Sequence, residues 1–262
     1  MIIIGERING MFKAVNQAIQ DKDKASIQDL ALKQIAEGAD MLDINVGTAA
    51  VDPQTAMAWL VQSVREVTDV TLSIDNPNLP TMKAGLEACT GRKMINSTIG
   101  SDEALDTFLA LAKEHDASVV ALCIDEKGVP VDVDGRCEIA MRIVAKAMEF
   151  DMPIDSLYID PIVLPVKADQ TGPGKVLESI KQFAMLSDPA PHIVVGLSNL
   201  SQGAVDRKLI NRAFLAMAIA MGLDAAILDP LDTELMDTLI AAEVLMNRAI
   251  YSDSFLKAYR QK

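Results

Sequence analysis

The first ten residues, "MIIIGERING" (residues 1–10), pose the problem of the fold. A four-residue apolar run, Met1–Ile4, leads at once into Glu6, Arg7 and Asn9. A short buried strand explains the apolar run but not the polar group delivered where it ends. The same arrangement recurs. Runs rich in Ile, Val and Leu appear at Met1–Ile4, Met41–Val46, Val70–Ile74, Lys93–Ile95, Ser118–Ile124, Ser156–Ile159, His192–Leu197 and Ala225–Leu228. Longer stretches with helical spacing lie between them.

Those stretches carry helix punctuation. "DPQTAMAWLVQSVREV" begins with Asp52 as N-cap and Pro53 at the first helical position. "LINRAFLAMAIAMG" closes on Gly222, a C-terminal stop. In "TELMDTLIAAEVLMNRAI", Leu235, Leu239, Ala242 and Met246 share one face, and Glu234, Asp237 and Glu243 are expected away from it. Eight strand-plus-helix units in 262 residues predict a single-domain α/β chain over 1–262, folded as a (β/α)8 TIM barrel. The alternative, an open doubly wound sheet, expects a glycine-rich phosphate turn after the first strand, and "GERING" is not GxGxxG.

In a parallel barrel all strand ends converge on one rim. The residues that follow the strands are Glu6 and Asn9, Asp43 and Asn45, Asp75 and Asn76, Asn96, Asp125, Asp160, Ser198 and Asn199, and Asp229. Loop starts and helix caps account for about half of these. They account less well for the dominance of Asp and Asn. The rim reads as a carboxylate-and-amide pocket, suited to a flat heterocycle with alternating donors and acceptors. Mg2+ is the competing ligand for such oxygens, but no DxD cluster is present. A second dense stretch, "VVGLSNLSQGAVDRKLINR", offers Gly196 for close backbone approach, then Ser198, Asn199 and Gln202. Arg207 there either meets a carboxylate tail or caps locally.

Other chemistries find little support. The net charge is −13, from 24 Lys+Arg against 37 Asp+Glu, which argues against nucleic acid and anionic membranes as partners. Three cysteines with no CxxC spacing fit free thiols in a reducing cytoplasm. No apolar run reaches the roughly 18 residues of a membrane helix, and no basic leader precedes one, so a soluble cytoplasmic protein is expected. His115 and His192 lack ligand partners at useful spacing, so no protein-bound metal is expected. Cys123 reads as packing within the fifth strand.

The motifs "IIGERING", "ADMLDINVG", "MINS", "LYIDPIVLP", "GLSNLSQ" and "RKLINRAFLAMA" resemble, almost end to end, the methyltetrahydrofolate–corrinoid protein methyltransferases. These are pterin-binding barrels, akin to dihydropteroate synthase and the folate module of cobalamin-dependent methionine synthase. The resemblance implies a homodimeric barrel whose substrate is 5-methyltetrahydrofolate. It also implies cobalamin on a partner corrinoid protein. By motif, Asp75, Asn96 and Asp160 match residues that hold the pterin, and Asn199 the residue that hydrogen-bonds near N5. Asn199 and Asp160 thereby become the catalytic candidates. Gln202 and Arg207 match further folate contacts. Gly196, Ser198 and Ile227 are expected to line the pocket, with Glu6, Asn9, Asp43 and Asn45 as rim contacts. Co(I) is itself a strong nucleophile, so no Ser, Cys or His is needed.

After the third strand this chain reads "SIDNPN" (73–78), where acetyl-CoA-pathway members carry Ser-Thr after the Asp. That departure opens the reverse flow, from methyl-corrinoid to tetrahydrofolate, as in O-demethylase or methylamine systems. Two other readings are dihydropteroate synthesis, which needs basic groups in which the rim is poor by sequence, and a non-catalytic folate-binding or corrinoid-docking role. The apolar "AFLAMAIAMG" helix is expected in the core, with an interface as its alternative.

Overall fold

The computed structural model describes residues 1–48 and 50–260. Eight parallel strands close into a barrel in chain order: β1 (Ile2–Asn9), β2 (Met41–Asn45), β3 (Thr71–Asp75), β4 (Lys93–Ile99), β5 (Ala117–Leu122), β6 (Leu157–Asp160), β7 (His192–Gly196) and β8 (Ala225–Leu228). Closure runs through β8 and β1, paired from Ile2↔Ala225 to Gly5↔Leu228. That closed pairing rules out the open sheet.

Helices alternate with the strands. They are α1 (Lys13–Asp21) and α2 (Lys24–Ala36) before β2, α3 (Pro53–Arg65) before β3, and α4 (Leu79–Ala88) before β4. After them come α5 (Asp102–His115), α6 (Val133–Glu149), α7 (Gly172–Phe183), the one-turn α8 (Leu197–Leu200), α9 (Arg207–Met221), α10 (Thr233–Leu245) and α11 (Phe255–Arg260). Asp52 caps α3 by accepting from Thr55 N at 3.1 Å, with Pro53 opening the helix. Gly222 ends α9 at φ 118°, a left-handed conformation that glycine adopts freely. Among the described residues, no helix is long and apolar enough to cross a membrane.

Two strands run further than their apolar residues suggest. β1 continues through Glu6 and Arg7 to Asn9, and β4 continues to Ile99. Each carries a register slip where it turns polar, between Gly5 and Ile8 against β2 and between Asn96 and Thr98 against β5. Such irregularities keep the backbone extended while re-aiming side chains, which is why they gather near sites. Conversely, β5 ends at Leu122, so Cys123 lies just past the strand, fully buried.

The alternation of a strand sorts the residues into two cores. Ile3, Leu42, Ile44, Leu72 and Ile74 face the helices. Ile4, Met94, Val120, Tyr158, Val194 and Ala225 fill the barrel interior, with Met41, Leu122 and Ile227 packed against them. The interior is thus a solid apolar plug.

Two helices correct the sequence reading. Glu243 on α10 is buried and accepts from the Met1 ammonium at 2.9 Å. The apolar face extends instead to Met236 and Ile240, and Met246 lies past the helix end, 41% exposed. An ion pair of this kind lets a carboxylate occupy a helix face that spacing alone assigns to solvent. In α9, Phe214, Leu215, Ala218 and Ile219 are buried while Met217 faces solvent, so the helix is core on one side only.

Candidate functional site

Strand period places a polar layer on the plug. Two residues beyond Met41, Met94, Tyr158, Val194 and Ala225 stand Asp43, Asn96, Asp160, Gly196 and Ile227, and Glu6 stands two beyond Ile4. On β5 the same step gives Leu122, which is apolar. The mouth therefore presents acids and amides with Leu122 and Ile227 as its greasy spots.

On the β2–β4 side these groups form one hydrogen-bonded set. Asp43 Oδ1 accepts from Ser73 Oγ at 2.7 Å and from Asn96 Nδ2 at 3.0 Å. Asn45 Nδ2 donates to Asp75 Oδ2 at 2.7 Å, and its Oδ1 accepts from Gly47 N at 2.6 Å, which fixes the amide's orientation. Asp75 and Asn96 are register partners. Burial raises both carboxyls. Asp43 is held well above the usual range by burial and by the neighbouring Asp75, against the pull of Ser73 and Asn96. Asp75 is raised by burial, moderated by Asn45 and Asp43. Two interacting buried acids favour a shared proton.

Asp160 stands across the mouth on β6. Burial pushes its carboxyl up to about 7, against the backbone N–H groups of Ile162 and Gly196. The Ile162 N–H donates to Oδ1 at 2.7 Å. Ile162 has φ 67°, an outlier for a β-branched residue. Such strain, of order 1–3 kcal/mol, persists where the surroundings dictate it.

A third group borders a cavity of about 610 Å³ lined by residues that include Glu6, Asn9, Ser198, Asn199, Gln202 and Arg207. Ser198 Oγ donates to Glu6 Oε1 at 2.6 Å. Glu6 is raised by burial, partly offset by Ser198 and reinforced by Asp229. Arg207 takes up the capping role: Nη2 donates to Ser198 O and Nε to Ser201 Oγ, both at 3.1 Å, and it still lines the cavity. α8 is thereby anchored on both sides of Ser198. The next residue, Asn199, is exposed, and its carboxamide has no side-chain hydrogen bond among the described residues. A Cβ on Gly196 would lie 2.9 Å from Asn199 Nδ2, so only glycine leaves that amide its place.

Some strand-end residues do ordinary structural work. Asp125 accepts from Lys127 N at 3.0 Å and pairs with Arg142 at 3.6 Å, and Asn76 accepts from Asn78 N at 2.9 Å. Asn9 likewise turns the chain, accepting from Met11 N at 2.9 Å, while also lining the cavity. Other participants have no obvious sequence signal. Ser73 is completely buried beneath Asp43, two residues before Asp75 and so on the same strand face. The rim is also less short of cations than the sequence suggests. Arg7, Arg207 and Lys208 all line the cavity, with Arg7 tied to Asp229 and Lys208 to Asp232, each at 3.4 Å. Among the described residues, no group of three or more His, Cys, Asp or Glu is arranged to hold a metal ion. His192 sits at the opposite end of the barrel, 2.6 Å from Asp224 and stacked on Tyr158.

The chain is similar over its whole length to the methylcorrinoid:tetrahydrofolate methyltransferase of Eubacterium limosum, at 31% identity and covering 97% of that protein. It is 30% identical over 87% of its length to the methionine synthase of Mycobacterium leprae, of which it spans 20%. Among solved structures, a Vibrio fischeri 7,8-dihydropteroate synthase superposes with a TM-score of 0.70 at 14% identity, covering 95% of this chain and 94% of that one. A Yersinia pestis DHPS solved with a pterine-sulfa conjugate gives 0.66 at 16% identity, covering 94% of each chain. These two share the barrel. The model of the pterin binding enzymes matches residues 8–229, and the chain belongs to that family.

Proposed function

We propose that this protein is a methyltransferase moving a methyl group between N5 of tetrahydrofolate and the cobalt of a corrinoid carried by a separate protein. The observation that carries the reading is the solvent-facing Asn199 carboxamide, free of protein partners, beside a mouth where the Asn45 and Asn96 amides are tied to Asp75 and Asp43. Full-length similarity to a methylcorrinoid:tetrahydrofolate methyltransferase supports the same chemistry and favours flow toward tetrahydrofolate.

In this reading Asp75, Asn96 and Asp160 hold the pterin's donor edge, and Ile227 with Leu122 supports its flat face. Asn45 and Asp43 fix Asp75 and Asn96. Glu6 and Ser198 hold α8, Asn9 borders the entrance, and Gln202 and Arg207 meet the outer part of the folate. Gly196 gives Asn199 room to reach N5. Toward tetrahydrofolate, the N5 electron pair would form the new N–CH3 bond, the Co–CH3 pair would stay with the corrinoid as Co(I), and the N5 proton would pass to solvent. Asn199 accepts that proton's hydrogen bond through Oδ1. In reverse, N5 would take a proton from solvent as the methyl departs, and the Asn199 side chain would keep its hydrogen bond to N5. Asp160, pushed up to about 7, is poised to exchange a proton with the bound ring near neutral pH.

Anaerobic mixing of the protein with a methylated corrinoid protein and tetrahydrofolate tests the proposal. Protein-dependent appearance of the Co(I) spectrum, matched by 5-methyltetrahydrofolate, is expected. Folate binding without methyl exchange in either direction would leave a binding component only. We also propose that residues 1–262 act as one domain and as a homodimer, which sedimentation at micromolar concentration checks.

A further inference from the structure

Arg136 is 3% exposed in the first turns of α6, yet no carboxylate lies in hydrogen-bond contact with its guanidinium among the described residues. Its hydrogen bonds go to main-chain carbonyls. Nε donates to Pro161 O at 2.9 Å, and Nη1 donates to Asp132 O at 3.2 Å. Burying a cation without a carboxylate in direct contact is costly, and burial depresses its affinity for its own proton, only partly offset by the nearby Cys123, Asp169 and Asp132. Hydrophobic packing would fill the same space with less penalty.

The carbonyl it holds is the informative part. Pro161 C=O and Ile162 N–H belong to one planar peptide unit. The far side of that unit is the N–H that Asp160 Oδ1 accepts at 2.7 Å. Proline fixes φ on one flank, while Ile162 is held at φ 67° on the other, where a β-branched residue does not rest by itself. A flip of this peptide would relieve Ile162 and turn a carbonyl oxygen toward Asp160.

We infer that Arg136 is a positioning residue for the reaction: it clamps the 161–162 peptide from behind so that its N–H stays aimed at Asp160. The inference rests on Asp160 belonging to the folate site. A charge-assisted bond on the carbonyl also polarises the unit and strengthens its N–H as a donor. The other groups around Asp160 are few. Gly196 on β7 supplies a backbone N–H, and Cys123 past β5 supplies a buried thiol and donates its own N–H to Asp160 O at 2.8 Å.

The test is the titration of the Asp160 carboxyl in folate-free protein, followed by NMR with 13C-labelled aspartate and assigned with Asp160→Asn. Arg136→Met and Arg136→Gln are compared with wild type. Release of the clamp is expected to raise the Asp160 midpoint by about one pH unit or more, a tenfold tighter hold on its proton. The pH dependence of tetrahydrofolate affinity should move in the same direction. A folded variant of either kind with an unchanged Asp160 midpoint, whatever its loss of thermal stability, would overturn the inference. Because the titration needs no folate, a failure of folate to bind would count against the proposed function and leave this result standing.

Discussion

Asp160→Asn should change how stability depends on pH, and the size of the change follows from the site. A carboxyl raised from 3.8 to about 7 keeps its proton in the folded state while the unfolded chain releases it. Stability is then greatest below the unfolded value, falls as pH rises from about 4 to about 7, and is level above. Roughly three pH units at about 1.4 kcal/mol each give a fall of about 4 kcal/mol, an upper bound because a buried site relaxes when it ionises. The variant lacks this contribution. Its amide turns Nδ2 toward one of two backbone donors, an offset of about 1–3 kcal/mol that is the same at every pH. Glu6, Asp43 and Asp75 are also raised, but they are common to both proteins and cancel in the difference. Urea unfolding from pH 4.5 to 8 measures that difference. The variant should gain on wild type by up to about 3 kcal/mol between pH 4.5 and about 7, and no further above. Parallel curves would refute the claim that Asp160 is a buried acid without a counter-charge.

Asn199→Ala is expected to lower the methyl-transfer rate far more than it weakens folate binding; equal losses in single-turnover and binding experiments would remove it from the chemistry. Gly196→Ala places a methyl 2.9 Å from Asn199 Nδ2 at an ordinary φ of −78°, so turnover should fall while thermal stability stays within about 1 kcal/mol of wild type. Ser73→Ala strips Asp43 of one of its two side-chain donors and should cost about 1–3 kcal/mol in urea unfolding at pH 8, where the unfolded-state acid is ionised. The penalty should shrink as pH falls and the folded-state Asp43, raised by its burial, takes up its proton.

Much of the barrel was legible because its units obey local rules. Asp52 with Pro53, Gly222 and the branched aliphatic runs each announced an element without tertiary help. The ends were harder to read. Hydrophobicity stops at Ile4, but the β1 backbone stays extended through Glu6 to Asn9 because neighbouring strands pair with it. Glu243 read as a solvent residue because its partner, the Met1 ammonium, is remote in sequence. The same limit applies at the mouth. Asp43 and Asn96 follow from their place at the strand ends, and Ile227 was reached through the family resemblance. The ties of Ser73 to Asp43, Ser198 to Glu6 and Arg136 to the peptide behind Asp160 are made only when the barrel closes.

Whether this mouth grips a reduced pterin is answered most directly by titration calorimetry of the purified protein with 5-methyltetrahydrofolate at pH 7. One molecule per chain should bind, and Asp75→Ala and Asn96→Ala should each weaken binding at least tenfold while remaining folded. Heats no larger than dilution in the folded wild-type protein, or unchanged affinity in both variants, would contradict the account.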